Sequence, residues 1–170
     1  MKTFAETYFE CSPEEAWLAV VDFQGRGNFS SRIRDAAIVE GGDFMVGKHL
    51  RLRIDKRDFT LLVAEVNAPS YLRLGMSGPL FKGSHRYKVE ARPNKTMVRI
   101  DANYGSLLGT VFGFFMKGRV QKDLSEELLT IRRQSEDLKE RRRLGSLEGD
   151  SQRLLIRRPV ANANAQQSPH

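Results

Sequence analysis

Cysteine is almost absent from this sequence. Cys11 is the single thiol in 170 residues, so no internal disulfide can staple the fold and nothing calls for an oxidising compartment. Histidine is nearly as scarce: His49, His85 and His170 are scattered, and no pair of them, with or without Cys11, has a zinc-ligand spacing. Gly-x-Gly-x-x-Gly, Gly-x-x-x-x-Gly-Lys-Ser/Thr and Gly-x-Ser-x-Gly are all missing, which removes the usual nucleotide loops and the serine-hydrolase elbow. We therefore expect no metal and no cofactor. No apolar run approaches the roughly 20 residues of a membrane span. Met1-Lys2-Thr3-Phe4-Ala5-Glu6 has an acid where a signal peptide needs its apolar core. These absences lead us to expect a soluble cytoplasmic protein.

What is present fits one folded domain. The chain is 40% hydrophobic and 29% charged, well outside the composition of a disordered protein. Its net charge of +7 is uneven, since residues 138–170 hold 7 basic and 3 acidic side chains. Residues 2–11 suit a strand. Ser12-Pro13-Glu14-Glu15 then opens a helix, with Ser12 as cap, Pro13 in the first turn and Glu15 at the capping-box spacing. That helix should stop near Asp22, and the glycines of Phe23-Gln24-Gly25-Arg26-Gly27-Asn28-Phe29 suit a broken second helix. From residue 33 the period becomes two, giving strands over 35–40, 47–55, 59–67, 71–77, 83–92 and 96–104. Phe112, Met116, Val120, Leu124, Leu128 and Ile131 then recur at helical spacing, predicting a long amphipathic helix from about 108 to 137 or slightly beyond. Residues 1–143 are expected to form the domain, and 144–170 a disordered basic tail.

Ser12-Pro13-Glu14-Glu15-Ala16-Trp17 ending at Asp22, Val46-Gly47 before a strand, Val66-Asn67-Ala68-Pro69-Ser70-Tyr71-Leu72 between two strands, and the terminal Leu128-Leu129-Thr130-Ile131 share an order and spacing. In these the chain, over about residues 2–137, resembles the SRPBCC superfamily of START-like, pollen-allergen-like and polyketide cyclase/dehydrase-like proteins. The resemblance implies an α+β helix-grip fold. In it a curved antiparallel seven-stranded sheet wraps a long C-terminal helix, with two short helices after the first strand and often an apolar cavity inside. The sequence departs from the coenzyme Q-binding and ribosome-associated branches, which favour a Tyr-Pro-x-Phe-x-Pro stretch where 23–29 has no proline. The general cyclase-like branch fits best.

Strand parity nominates the candidate site. His85 and Tyr87 share a face with Val89, and Tyr104 shares one with Val98, Ile100 and Ala102. Leu52, Leu74 and Met76 belong to the same inner surface by alternation, while Phe112, Phe115 and Met116 stand where the long helix would close a pocket mouth. An imidazole and two phenols on an apolar face are either hydrogen-bonded core groups or the few convergent polar groups of a ligand pocket. Of these, His85 is the one able to exchange a proton near neutral pH. Trp17 is expected in the core beneath the first helix. The cations Arg132, Arg133, Lys139, Arg141–Arg143, Arg157 and Arg158 have no aromatic residue among them, so the tail lacks a stacking platform for nucleic acid.

Three functions compete on these grounds. The first is binding of a small hydrophobic or aromatic molecule by a carrier, sensor or sequestering protein. The second is a cyclase/dehydrase-like enzyme using His85, Tyr87 and Tyr104 in the same cavity. The third is an adaptor for an anionic surface or nucleic acid through the tail. The lack of an acid–base constellation in the sequence favours the first. Transient membrane contact near Lys117 and Arg119 is compatible with it, and the oligomeric state is left open.

Overall fold

The computed structural model of the chain describes residues 1–41, 44–78, 81–105 and 109–156, without the side chains of 77, 78, 81, 109–116 and 146–156. Two compact units are distinguished, Met1–Lys139 and Glu140–His170. The first contains strand β1 (Lys2–Phe9), helix α1 (Pro13–Val21), a 3-10 turn (Gly25–Asn28), and strands β2 (Ile33–Ile38), β3 (His49–Ile54), β4 (Arg57–Asn67), β5 (Tyr71–Gly78), β6 (Phe81–Arg92) and β7 (Lys95–Gly105). Helix α2 spans Gly109–Ile156.

The seven strands form one curved antiparallel sheet in the order β1-β7-β6-β5-β4-β3-β2. Every neighbour after β1 is consecutive in sequence, as hairpins require, and β1 closes the far edge against β7, with Ala5 opposite Ile100. The turns carry the backbone conformations that such reversals need. Asp55 (φ 55°) and Asn94 (φ 60°) occupy the left-handed region in two hairpins, and Gly47 (φ 89°) does so ahead of β3.

Helix α1 starts as its sequence dictates. Glu15 N donates to Ser12 Oγ at 3.2 Å, and Ser12 N donates to Glu15 Oε2 at 2.9 Å, which completes the capping box. Its inner face carries Ala16, Trp17, Ala19 and Val20 into the core, where Trp17 is 8% exposed. The sheet adds Leu50, Leu52, Val63, Leu72, Leu74, Tyr87, Val89, Val98 and Ile100 to the same cluster, and α2 adds Leu124, Leu128 and Ile131. A one-faced sheet and a one-striped helix thus bury each other, in a helix-grip arrangement.

Two details differ from the pattern in the sequence. Ala91 shares its parity with Tyr87 and Val89 yet is exposed, next to the hairpin that ends β6. Helix α2 reaches Ile156, well past the last stripe residue at Ile131. Beyond Leu138, which still packs against the core, residues 139–156 hold four leucines, four arginines and no proline, so the helix continues without an apolar stripe. Arg141, Arg142, Arg143 and Leu144 there are exposed. Residues 157–170 of the expected tail lie outside the described residues. No helix among the described residues is long and apolar enough to cross a membrane.

Candidate functional site

Between the sheet and α2 lies a cavity of about 260 Å³. Of the nine residues nominated by the sequence, Leu52, Leu74, Met76, His85, Tyr87 and Tyr104 line it. Strand alternation is the cause: Leu74 pairs with His85 across β5 and β6, and Leu72 with Tyr87, so one register points all of them inward. Phe112, Phe115 and Met116 fall on the first turns of α2, and their side chains lie outside the described residues. Ile54, Phe59, Leu61 and Val120 complete the apolar wall.

The polar end of the cavity is built from groups that local sequence pattern does not bring together. Arg26 is 1% exposed and donates through Nη1 to Glu127 Oε1 at 2.5 Å and through Nη2 to the Val20 carbonyl at 2.6 Å. Its guanidinium also sits 3.8 Å above the Phe23 ring. The same Glu127 Oε1 accepts the Tyr87 hydroxyl at 2.7 Å. Alongside, His85 Nε2 and the Tyr104 hydroxyl are 2.5 Å apart. The imidazole and phenols expected on the inner face therefore both find hydrogen-bond partners and face the cavity.

Two glycines allow this geometry. A Cβ on Gly25 would collide with the Asp22 carboxylate and stand 2.8 Å from Gln134 Nε2, so a larger residue there would displace the side chains that brace the turn before Arg26. Gly25 N in turn donates to Asp22 Oδ1 at 2.8 Å, locking that turn. Gly83 does the same for Tyr104, whose ring would lie 2.6 Å from a Cβ placed there.

At the rim, Arg32 reaches three carboxylates, with Nη1 2.6 Å from Asp123 and 3.3 Å from Glu126, and Nε 3.3 Å from Asp55. These groups are substantially solvated, so the pairs contribute little to stability and mainly set the charge of the mouth. Among the described residues no group of three or more metal-ligating side chains is assembled.

Burial sets the protonation states inside. Burial raises the Tyr87 hydroxyl well above its usual value, and the Glu127 carboxylate reinforces it; Tyr104 is pushed up to about 12, again mainly by burial. Both phenols are thus proton donors throughout the neutral range. The His85 imidazole moves down from 6.5 because burial disfavours its cation; Glu127 opposes that shift and Arg26 assists it. The unfolded chain consequently protonates this histidine first as pH drops. Stability from keeping it neutral is complete above about pH 6.5 and is lost progressively below that value. Urea midpoints measured from pH 7.5 to 5.5 are expected to fall in the wild type and to fall less in His85→Gln. An identical decline in both proteins would place the effect elsewhere.

Strand parity does not mark Arg26 or Glu127, although the sequence carries one signal for the glutamate. Glu127 lies seven residues after Val120, three after Leu124 and four before Ile131, directly on the apolar stripe of α2. A carboxylate at such a position requires a buried partner. No comparable periodicity marks Arg26.

Comparison with known proteins places these features in context. A family model described as polyketide cyclase / dehydrase and lipid transport matches residues 1–136. Among solved structures, a START superfamily protein from Mycobacterium smegmatis is 18% identical, with a TM-score of 0.66 over 81% of this chain and 98% of that one. The Zhui aromatase/cyclase from Streptomyces sp. R1128 is 12% identical, with a TM-score of 0.66 over 80% of this chain and 93% of its own. A protein from Thermus thermophilus is 13% identical, with a TM-score of 0.66 over 81% and 99% of the respective chains. At these identities the likeness is one of fold. No curated protein matches the chain by sequence.

Proposed function

The chain belongs to the polyketide cyclase/dehydrase and lipid transport family, and from that premise we propose that its cavity binds a small hydrophobic or aromatic molecule. The observation that carries this reading is the shape of the site: a cavity of about 260 Å³ with an aliphatic and aromatic wall and one polar end. Ligand pockets usually measure about 300–1,000 Å³, so this volume suits a compact molecule of two or three rings rather than a long acyl chain. Apolar burial supplies the affinity, and the polar end sets orientation.

A neutral fluorescent aromatic, N-phenyl-1-naphthylamine, is expected to bind one molecule per chain with a blue-shifted emission. Leu74 is 1% exposed and lines the cavity, so in Leu74→Trp the added ring enters the ligand's space. We expect that variant to keep its unfolding midpoint within about 1 kcal/mol of wild type while losing most probe binding. Absence of binding in the wild type, together with the overpacking cost of about 1–3 kcal/mol in Leu74→Trp, would show a filled core instead of a pocket.

One observation favours a second reading, a cyclase- or dehydrase-type reaction in the same cavity. His85 is held neutral beside the Tyr104 hydroxyl, as a general base with an adjacent proton donor would be. His85→Gln separates the two. A carrier keeps its ligand after that change, whereas an enzyme relying on the imidazole loses roughly a hundredfold or more in rate on a polyketide-like substrate.

A further inference from the structure

The polar end of the cavity also states what kind of molecule fits there. Glu127 is a hub used on one side only: both its donors, Arg26 Nη1 and the Tyr87 hydroxyl, converge on Oε1. Among the described residues no hydrogen bond reaches Oε2, yet Glu127 lines the cavity and its side chain is 19% exposed. An ionised carboxylate has about four acceptor sites, so half of this one is unused, in a place where a ligand would replace water. The surrounding charge points the same way. Among the described lining residues the carboxylates Asp123, Glu126 and Glu127 outnumber the guanidiniums Arg26 and Arg32. Arg26 gives Nη1 to Glu127 and Nη2 to the Val20 carbonyl while its buried Nε has no partner, and Arg32 is taken by the rim acids.

We propose that Glu127 Oε2 is the cavity's acceptor for a hydrogen-bond donor on the ligand. On this assignment the site selects neutral aromatic molecules that carry an O–H or N–H group, such as phenols, and rejects carboxylates of the same size. It rests on the reading of the cavity as a binding site and specifies the chemistry of its occupant. An anionic ligand would enter a net negative pocket whose two guanidiniums are already paired with carboxylates. A ligand that only accepts hydrogen bonds would leave Glu127 Oε2 stripped of water and unpaired, which disfavours it.

Three probes sharing one ring system separate the outcomes: 2-naphthol, which donates; 2-acetylnaphthalene, which only accepts; and 2-naphthoate, which is anionic. In equilibrium dialysis at pH 7 we expect 2-naphthol to bind about tenfold more tightly than either of the others. In Glu127→Gln the side-chain carbonyl can remain toward Arg26 and Tyr87, and the amide NH₂ then replaces Oε2. The acceptor facing the cavity becomes a donor, so the preference for 2-naphthol over 2-acetylnaphthalene should vanish or invert. Circular dichroism checks that the variant is folded; if it is not, the wild-type ranking decides alone. Equal binding of 2-naphthol and 2-acetylnaphthalene by the wild type overturns the proposal and leaves the cavity reading standing, as does tightest binding of 2-naphthoate. An unchanged preference in folded Glu127→Gln also overturns it. Failure of all three probes to bind overturns both.

Discussion

Replacing Glu127 by alanine is expected to destabilise the domain by about 3–5 kcal/mol, because it strands the charge of Arg26 in the core. The guanidinium is 1% exposed, and Glu127 is its sole carboxylate partner among the described residues. Without that partner the remaining contacts, the Val20 carbonyl and the Phe23 ring, satisfy part of its hydrogen-bonding capacity but do not neutralise it. The Tyr87 hydroxyl would lose its acceptor at the same time. A paired replacement that removes both charges, Arg26→Met with Glu127→Leu, should recover much of the loss, since a buried ion pair often differs little in stability from well-packed apolar residues. Urea unfolding of wild type, Arg26→Met, Glu127→Leu and the double variant closes the cycle. A loss below about 1 kcal/mol for Glu127→Ala would mean that water reaches Arg26 freely, and the polar end would then be solvent rather than site.

Trp17→Ala should cost about 3–5 kcal/mol as well, for a different reason. The indole is 8% exposed and belongs to the main hydrophobic cluster, on the inward face of a helix that its own capping box holds in place. Removing it leaves a void that the surrounding sheet cannot collapse to fill, so the cavity penalty adds to the lost transfer energy. Because Trp17 is the chain's one tryptophan, unfolding of the variant has to be followed by circular dichroism. In the wild type, the same burial predicts a blue-shifted emission that moves red on unfolding. An emission maximum typical of full solvent exposure in the native protein would contradict this placement.

These two side chains also show how far the sequence reaches. Trp17 is legible from local chemistry alone: Ser12, Pro13 and Glu15 set the start of α1, and the turn period then places residue 17 beside Ala16 and Val20 on the inner face. The sheet is legible on the same terms, since alternation in 48–55, 71–77, 83–92 and 96–104 assigns each residue to one of two faces. Leu52, Leu74, Met76, His85, Tyr87 and Tyr104 could accordingly be grouped on one surface before any strand was paired. The reach of α2 was less legible, because its apolar stripe ends before its helical propensity does.

Local periodicity assigns faces, and it does so for apolar residues because burial has one sign for them wherever they occur. A charged residue is ambiguous in the sequence, being equally at home in water or against an opposite charge, and only burial decides between the two. Arg26 and Glu127 lie 101 residues apart, and the chain offers 28 basic and 21 acidic side chains from which such a pair could form. The sequence by itself therefore determined the order of elements, their inward faces and the apolar wall of the cavity. Closure of the sheet on α2 alone decided that Arg26, Tyr87 and Glu127 would meet at its polar end, because desolvation there makes an unpaired charge too costly and forces each group onto its partner.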